Sequence, residues 1–139
     1  MLRLPRRPNR TFLIILLLSV GMLLAAPALA QPCRVIATQP PAGASKVDPG
    51  LGAIQVSFSQ PMMTDRWSFV KNPQLGRFPQ LGGQPRFVDP KTCVLPVKLE
   101  PGVKYAVGIN TGGFSNFRPQ AAPNKPCAPY QIIFTTGGR

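Results

Sequence analysis

The chain of 139 residues contains no histidine and only four acidic residues. Without histidine no Ser-His-Asp or Cys-His arrangement exists, and the usual general base near neutral pH is missing. The imidazole ligands favoured by divalent copper are missing with it. Asp48, Asp89 and Glu100 fall in predicted turns and Asp65 at a predicted bend, so turn capping accounts for these carboxylates better than a glycosidase pair does. Gly82-Gly83 and Gly112-Gly113 lack the strand-to-helix context of a phosphate-cradling loop. Hydroxyl–lysine nucleophile pairs remain open on the residues alone, with no S-x-x-K motif singled out to carry one. The reading is a non-enzymatic protein with no cofactor.

Charge runs are also missing. Four of the sixteen basic residues, Arg3, Arg6, Arg7 and Arg10, lie in the first thirty positions, so residues 31–139 carry a net charge of +8 with no two basic residues adjacent. That pattern builds no phosphate track, and no nucleic-acid partner is expected. It does leave an attraction to anionic polymers of a cell envelope. A long apolar run occurs only once, from Phe12 to Ala26, between that basic start and Ala28-Leu29-Ala30. This is the layout of a secretory signal peptide over residues 1–30, with a mature domain over 31–139. An uncleaved anchor is the alternative, because the run is close to the ~17–20 residues that span a bilayer. Pro27 and the A-x-A site suit cleavage better, after which no membrane span remains. Pro8-Asn9 after Arg6-Arg7 departs from a twin-arginine signal, and Gln31-Pro32 before Cys33 does not suit a lipoprotein.

The mature segment is long enough for one hydrophobic core. Fifteen of the chain's eighteen prolines fall in this segment and exclude long helices, since each removes a helix hydrogen bond and clashes with the preceding turn. Between the prolines apolar residues alternate: Ile54, Val56, Phe58; Phe87 and its neighbours; Leu95, Val97, Leu99; Tyr105, Val107, Ile109; Tyr130, Ile132, Phe134. A period of two argues for half-buried antiparallel strands. With Arg34–Thr38 and Ser68–Val70 added, the expectation is an all-β, seven-stranded immunoglobulin-like sandwich. Asp48-Pro49-Gly50, Leu81-Gly82-Gly83-Gln84, Asp89-Pro90-Lys91 and Pro101-Gly102 mark its turns. Glu100 to Tyr105 has the spacing of a tyrosine corner, which makes Tyr105 structural.

Thr38-Gln39-Pro40-Pro41-Ala42-Gly43, Val47, Ile54 to Met62, Leu99 to Tyr105 and Phe134-Thr135-Thr136 resemble the bacterial Ig-like domains of the surface-layer-protein type. The resemblance covers nearly all of the mature segment. It implies an extracytoplasmic, mostly non-enzymatic module. Ala and an acidic residue often stand in that family where Pro41 and Ala42 do here, and its Asp-rich segment before the last strand is absent.

The stretch around Phe58-Ser59-Gln60-Pro61-Met62 also resembles the copper-resistance protein C sandwich, in which histidines and a methionine-rich loop hold copper. Here a cuprous site would have to draw on Met62, Met63 and the cysteines. Methionine more often fills gaps in a core, so Met62 or Met63 is expected to close one end of the sandwich beside Trp67.

Cys33, Cys93 and Cys127 all lie beyond the signal. In an Ig-like topology each precedes or opens a strand running in one direction, which brings them to one end. Cys33 with Cys127 is the first choice for a disulfide, since first and last strands often lie side by side; Cys93 with Cys127 is the second. The remaining thiol is a buried small side chain or an intermolecular link. For recognition, the connection Asn110–Pro129 offers Phe114, Asn116, Phe117 and Arg118 after the flexible Gly112-Gly113. The alternative is that Phe114 and Phe117 fold back to cap the core.

The resulting expectation is an exported binding or structural module of the bacterial envelope, periplasmic or extracellular, whose partner is an envelope protein or glycan. A basic polyanion-binding accessory protein is the alternative, and a copper carrier stands third.

Overall fold

The computed structural model describes residues 31–138, together with Gly21. The predicted signal peptide lies outside the described residues. Among these the secondary structure is all β, with eight strands: β1 (Val35–Gln39), β2 (Ala53–Phe58), β3 (Phe69–Val70), β4 (Gln80–Leu81), β5 (Arg86–Asp89), β6 (Thr92–Lys98), β7 (Lys104–Ile109) and β8 (Tyr130–Thr135). One antiparallel sheet has the order β1-β2-β6-β4, with β5 also on β6; the other has the order β3-β7-β8.

Alternation decides which side chains meet between the sheets. Ile54, Val56 and Phe58 of β2 are fully buried while Gln55 between them is exposed. Cys93, Leu95 and Val97 of β6 join them, and Tyr105, Val107, Ile109, Ile132 and Phe134 supply the facing layer of the same cluster. Burying one such side chain contributes roughly 1.5–3 kcal/mol. In β7 the outward residues Ala106 and Gly108 are buried as well. Their small size lets the chain pass over the sheet: Ala106 N–H donates to the Arg77 carbonyl at 2.9 Å. At Gly76 a Cβ would sit 3.0 Å from that backbone, so glycine is required by the close approach.

The expected strand count of seven is corrected to eight by β4, at the start of a segment read as a turn. The physical reason is Pro96 in the middle of β6. Pro96 has no N–H to give to a neighbouring strand, so proline there belongs opposite a bulge or interruption. Leu81 pairs with Val97 and Arg86 with Val94, leaving Gly82 to Pro85 looped out opposite the proline. Gly82 N–H still donates to the Pro96 carbonyl at 2.9 Å. What would be one edge strand is thus two short ones.

The turns follow their chemistry. Asp48 Oδ1 accepts the Gly50 N–H at 2.7 Å and Asp89 Oδ1 the Lys91 N–H at 2.8 Å, the Asx geometry that suits Asp at the first position. Tyr105 Oη accepts the Glu100 N–H at 2.8 Å. Beside it Thr136 Oγ1 donates to the Glu100 carbonyl at 2.6 Å and accepts the Val103 N–H at 2.9 Å, which ties β8 to the same corner.

After β1 the chain changes sheets. Beyond the cis Gln39–Pro40 bond, residues 43–47 run beside β8: Val47 forms a parallel bridge with Thr136, and Gly43 N–H donates to the Ile133 carbonyl at 2.6 Å. The segment covers an edge that β8 would otherwise expose.

Candidate functional site

Three regions carry the side chains singled out by sequence. At one end Cys33 is bonded to Cys127, with Cα atoms 4.6 Å apart, which is the first-choice pairing; the Cys93–Cys127 alternative does not form. Met62, fully buried, places its sulfur 3.6 and 3.7 Å from the two cystine sulfurs. Neither cystine sulfur carries a proton, so these are packing contacts. The backbone holds Met62 there: its N–H donates to the Pro90 carbonyl at 2.8 Å and its carbonyl accepts the Gln120 side-chain amide at 3.0 Å.

This donor set does not fit a cuprous ion. The disulfide removes two of the thiolates, Met62 is enclosed against it, and Cys93 lies fully buried in β6. Burial pushes the Cys93 thiol up to about 12, far from the thiolate that ligates metal or attacks an electrophile.

The second region is the connection after β7. Asn110, buried and at φ 52°, donates its amide to the carbonyls of Phe117 at 2.9 Å and Cys127 at 3.0 Å, and accepts the Phe117 N–H at 3.0 Å. Asparagine tolerates this left-handed conformation better than most side chains. The consequence separates two phenylalanines that look equivalent in sequence. Phe117 is fully buried, its ring 4.9 Å from that of Phe58 and 5.1 Å from that of Phe69, whereas Phe114 is 59% exposed. Arg118 is turned inward on its own loop, donating to the Ser115 carbonyl at 2.8 Å, Ser115 Oγ at 3.0 Å and the Pro123 carbonyl at 2.9 Å. Of the four residues proposed for recognition, Phe117 and Arg118 are thereby engaged in structure, and Phe114 and Asn116 remain at the surface.

Those two border the third region, which sequence reasoning missed. Between β3 and β4 lie two open concavities of about 430 Å³ each that meet at Lys71, Phe78 and Leu81. One is lined by Trp67, Phe69, Phe114 and Asn116, the other by Arg77, Lys98, Glu100 and Tyr105. This volume is in the range of ligand clefts. Lys71 Nζ lies 5.7 Å from the centre of the Phe78 ring, a cation–π arrangement. Glu100, the carboxylate of the lining, is paired with Arg77 at 2.5 Å. Leu81 is 48% exposed beside them. Trp67 is half buried against the core. Ser68-Phe69-Val70-Lys71 does have the S-x-x-K spacing of a serine–lysine nucleophile, which the sequence reading overlooked, but it lies on extended chain and not on a helix. The Ser68 hydroxyl accepts the Asn116 N–H at 2.9 Å, so it fixes the rim.

The remaining acid, Asp65, is exposed and bonded to Arg66 at 3.1 Å; the hydrogen bond from that guanidinium holds its carboxyl below the usual range. A sequence signal for Asn110 existed, an asparagine ending an apolar strand before Thr-Gly-Gly. For the groove there was none, because its lining comes from five separate segments.

No protein-family model matches the chain, and none of the curated proteins does. Among solved structures it is similar to the N-terminal part of the bacterial S-layer protein SbsC, with a TM-score of 0.39 and 16% identity. That likeness covers 78% of this chain and 24% of the S-layer protein chain.

Proposed function

We propose that this chain is an exported, non-catalytic module with an Ig-like topology, serving a binding or structural role in a bacterial cell envelope. The observation that carries the reading is the disulfide between residues 94 apart, because such bridges persist in oxidising compartments and are rare in reducing ones. The change of sheet after β1 supports the Ig-like topology: β1 pairs antiparallel with β2, and its continuation runs parallel to the last strand. The non-catalytic part is supported by the carboxylates. Asp48 and Asp89 cap turns, Asp65 pairs with Arg66 and Glu100 with Arg77, so none stands free as a general acid or base.

In the native envelope, a photo-crosslinker at position 114 is expected to capture one discrete protein or glycan and not a mixture of polyanions. Turnover of a substrate that disappears on replacing one polar side chain would overturn the reading. The net charge of +8 supports a second one, a polyanion-binding accessory protein, which calls for retention on heparin that falls steeply with ionic strength. Copper ions in either oxidation state are expected to leave the melting temperature unchanged.

A further inference from the structure

We infer that the groove between β3 and β4 docks an extended, acidic segment of a partner polypeptide. The inference rests on the reading of the domain as a binding module and names the chemistry of its partner. Three features converge on it. The rim carries Lys71, Arg77 and Lys98, and the one carboxylate among them is already bonded to Arg77, so the rim presents an excess of positive charge. The floor is apolar and aromatic, with Trp67, Phe78 and the exposed ring of Phe114 offering flat surfaces. And β4 and β5 pair only with β6 among the described residues, so no strand lies on their outer side.

A free strand edge beside a groove favours a polypeptide over a glycan. Main-chain groups of an extended peptide match the spacing of unpaired N–H and C=O groups along such an edge, while alternate side chains enter pockets. In this geometry carboxylates of the partner reach Lys71 and Lys98 in one concavity, and its apolar residues lie on Phe78, which the two concavities share, and on Trp67 and Phe114 in the other. The interruption at Pro96 keeps each free strand short. A short edge limits pairing with further copies of the same sheet and leaves room for one occupant.

The chain contains a single tryptophan, and it lines the groove, so its emission reports occupancy directly. The probe is a synthetic peptide of about twelve residues alternating glutamate with valine and phenylalanine, titrated into the disulfide-bonded domain beside its glutamine analogue. A saturable change in Trp67 emission is expected, with the glutamine analogue roughly tenfold weaker. Replacing Lys71→Glu together with Lys98→Glu is expected to weaken the acidic peptide by roughly tenfold or more, whereas Lys125→Glu, a charge reversal outside the groove, changes it by less than about threefold. Phe114→Ala, at an exposed position that leaves the fold intact, is expected to weaken it by about threefold or more.

An unchanged emission spectrum overturns the inference. So does equal weakening by Lys125→Glu, which would make the attraction a property of net charge. Equal or tighter binding of oligogalacturonate, with the same dependence on Lys71 and Lys98, overturns it in favour of an anionic glycan. If crosslinking at position 114 still captures an envelope partner while the peptide fails to bind, the acidic-peptide assignment falls and the binding module stands.

Discussion

The connection from residue 110 to 129 and the connection from 71 to 85 are both long and both rich in glycine and proline, yet the fold holds them in opposite ways. The first is fixed at several points by internal bonds: the buried Asn110 amide, the Arg118 guanidinium, the Phe117 ring in the core and the disulfide at Cys127. The second is held by backbone bonds of Arg77 to β7 and of the short β4 to β6, with the half-buried Phe78 ring and an exposed ion pair, and among the described residues no buried side chain bonds it from within. The difference shows that a long loop with aromatic and polar side chains is not thereby a recognition loop. In a small domain such side chains are as readily drawn inward to complete the core. On the proposed reading, recognition falls to the groove between β3 and β4.

Breaking the bridge attacks this contrast hardest. The paired substitution Cys33→Ser and Cys127→Ser removes a loop constraint worth about 4–5 kcal/mol by chain-entropy arithmetic, and urea unfolding is the measurement. The midpoint should fall, and residues 110–129 should become as open to protease as 71–85. An unchanged midpoint would mean that the bridge constrains little. Next comes Asn110→Ala, which strands the Cys127 carbonyl and the Phe117 N–H in the interior, while the Phe117 carbonyl keeps the Cys127 N–H. A loss of roughly 2–3 kcal/mol is expected, with near-ultraviolet circular dichroism reporting release of the loop.

Cys93 gives a pH-dependent test of how dry the core is beneath both connections. Its thiol keeps its proton in the fold up to about 12, against an ordinary value of 9.0. From about 9 to 12 the unfolded chain has therefore lost a proton that the folded chain retains, and stability falls as pH rises through that window. Below it the contribution is complete. About 1 kcal/mol should be lost by pH 10, and Cys93→Ala should lose that part of the slope. In a thiol-reagent assay the native protein should stay unreactive until denaturant is added.

The smallest effect is expected at the groove. Arg77→Ala breaks a pair whose side chains are 59% and 69% exposed, and such surface pairs contribute about 0–1 kcal/mol. A loss of several kcal/mol would show that residues 71–85 are anchored as firmly as residues 110–129.

Much of the fold was legible because its causes are local. The alternation of Ile54, Val56 and Phe58 selects a buried face, Asp48 and Asp89 choose their turns, and the five-residue step from Glu100 to Tyr105 makes the corner. The cystine was legible through topology, since it needed only that the first strand and the last lie together. β4 was not, because its existence depends on Val97 and Lys98 across the sheet and on the gap opposite Pro96. Phe114 and Phe117 were indistinguishable in sequence, three positions apart in one glycine-rich loop. What separates them is a hydrogen bond from Asn110 that pulls Phe117 inward. The groove was illegible for a related reason: Trp67, Lys71, Phe78, Leu81, Lys98 and Phe114 share no pattern along the chain and meet only through the pairing of their strands.

Native-state hydrogen exchange of backbone amides compares the two connections in one experiment. The Phe117 and Cys127 amides, bonded to Asn110 Oδ1 at 3.0 Å and to the Phe117 carbonyl at 2.9 Å, should exchange only with openings close to global unfolding. The Gln84 amide, which has no acceptor among the described residues, should exchange rapidly. Comparable fast exchange at Phe117, Cys127 and Gln84 would contradict the division between a locked loop and an open groove.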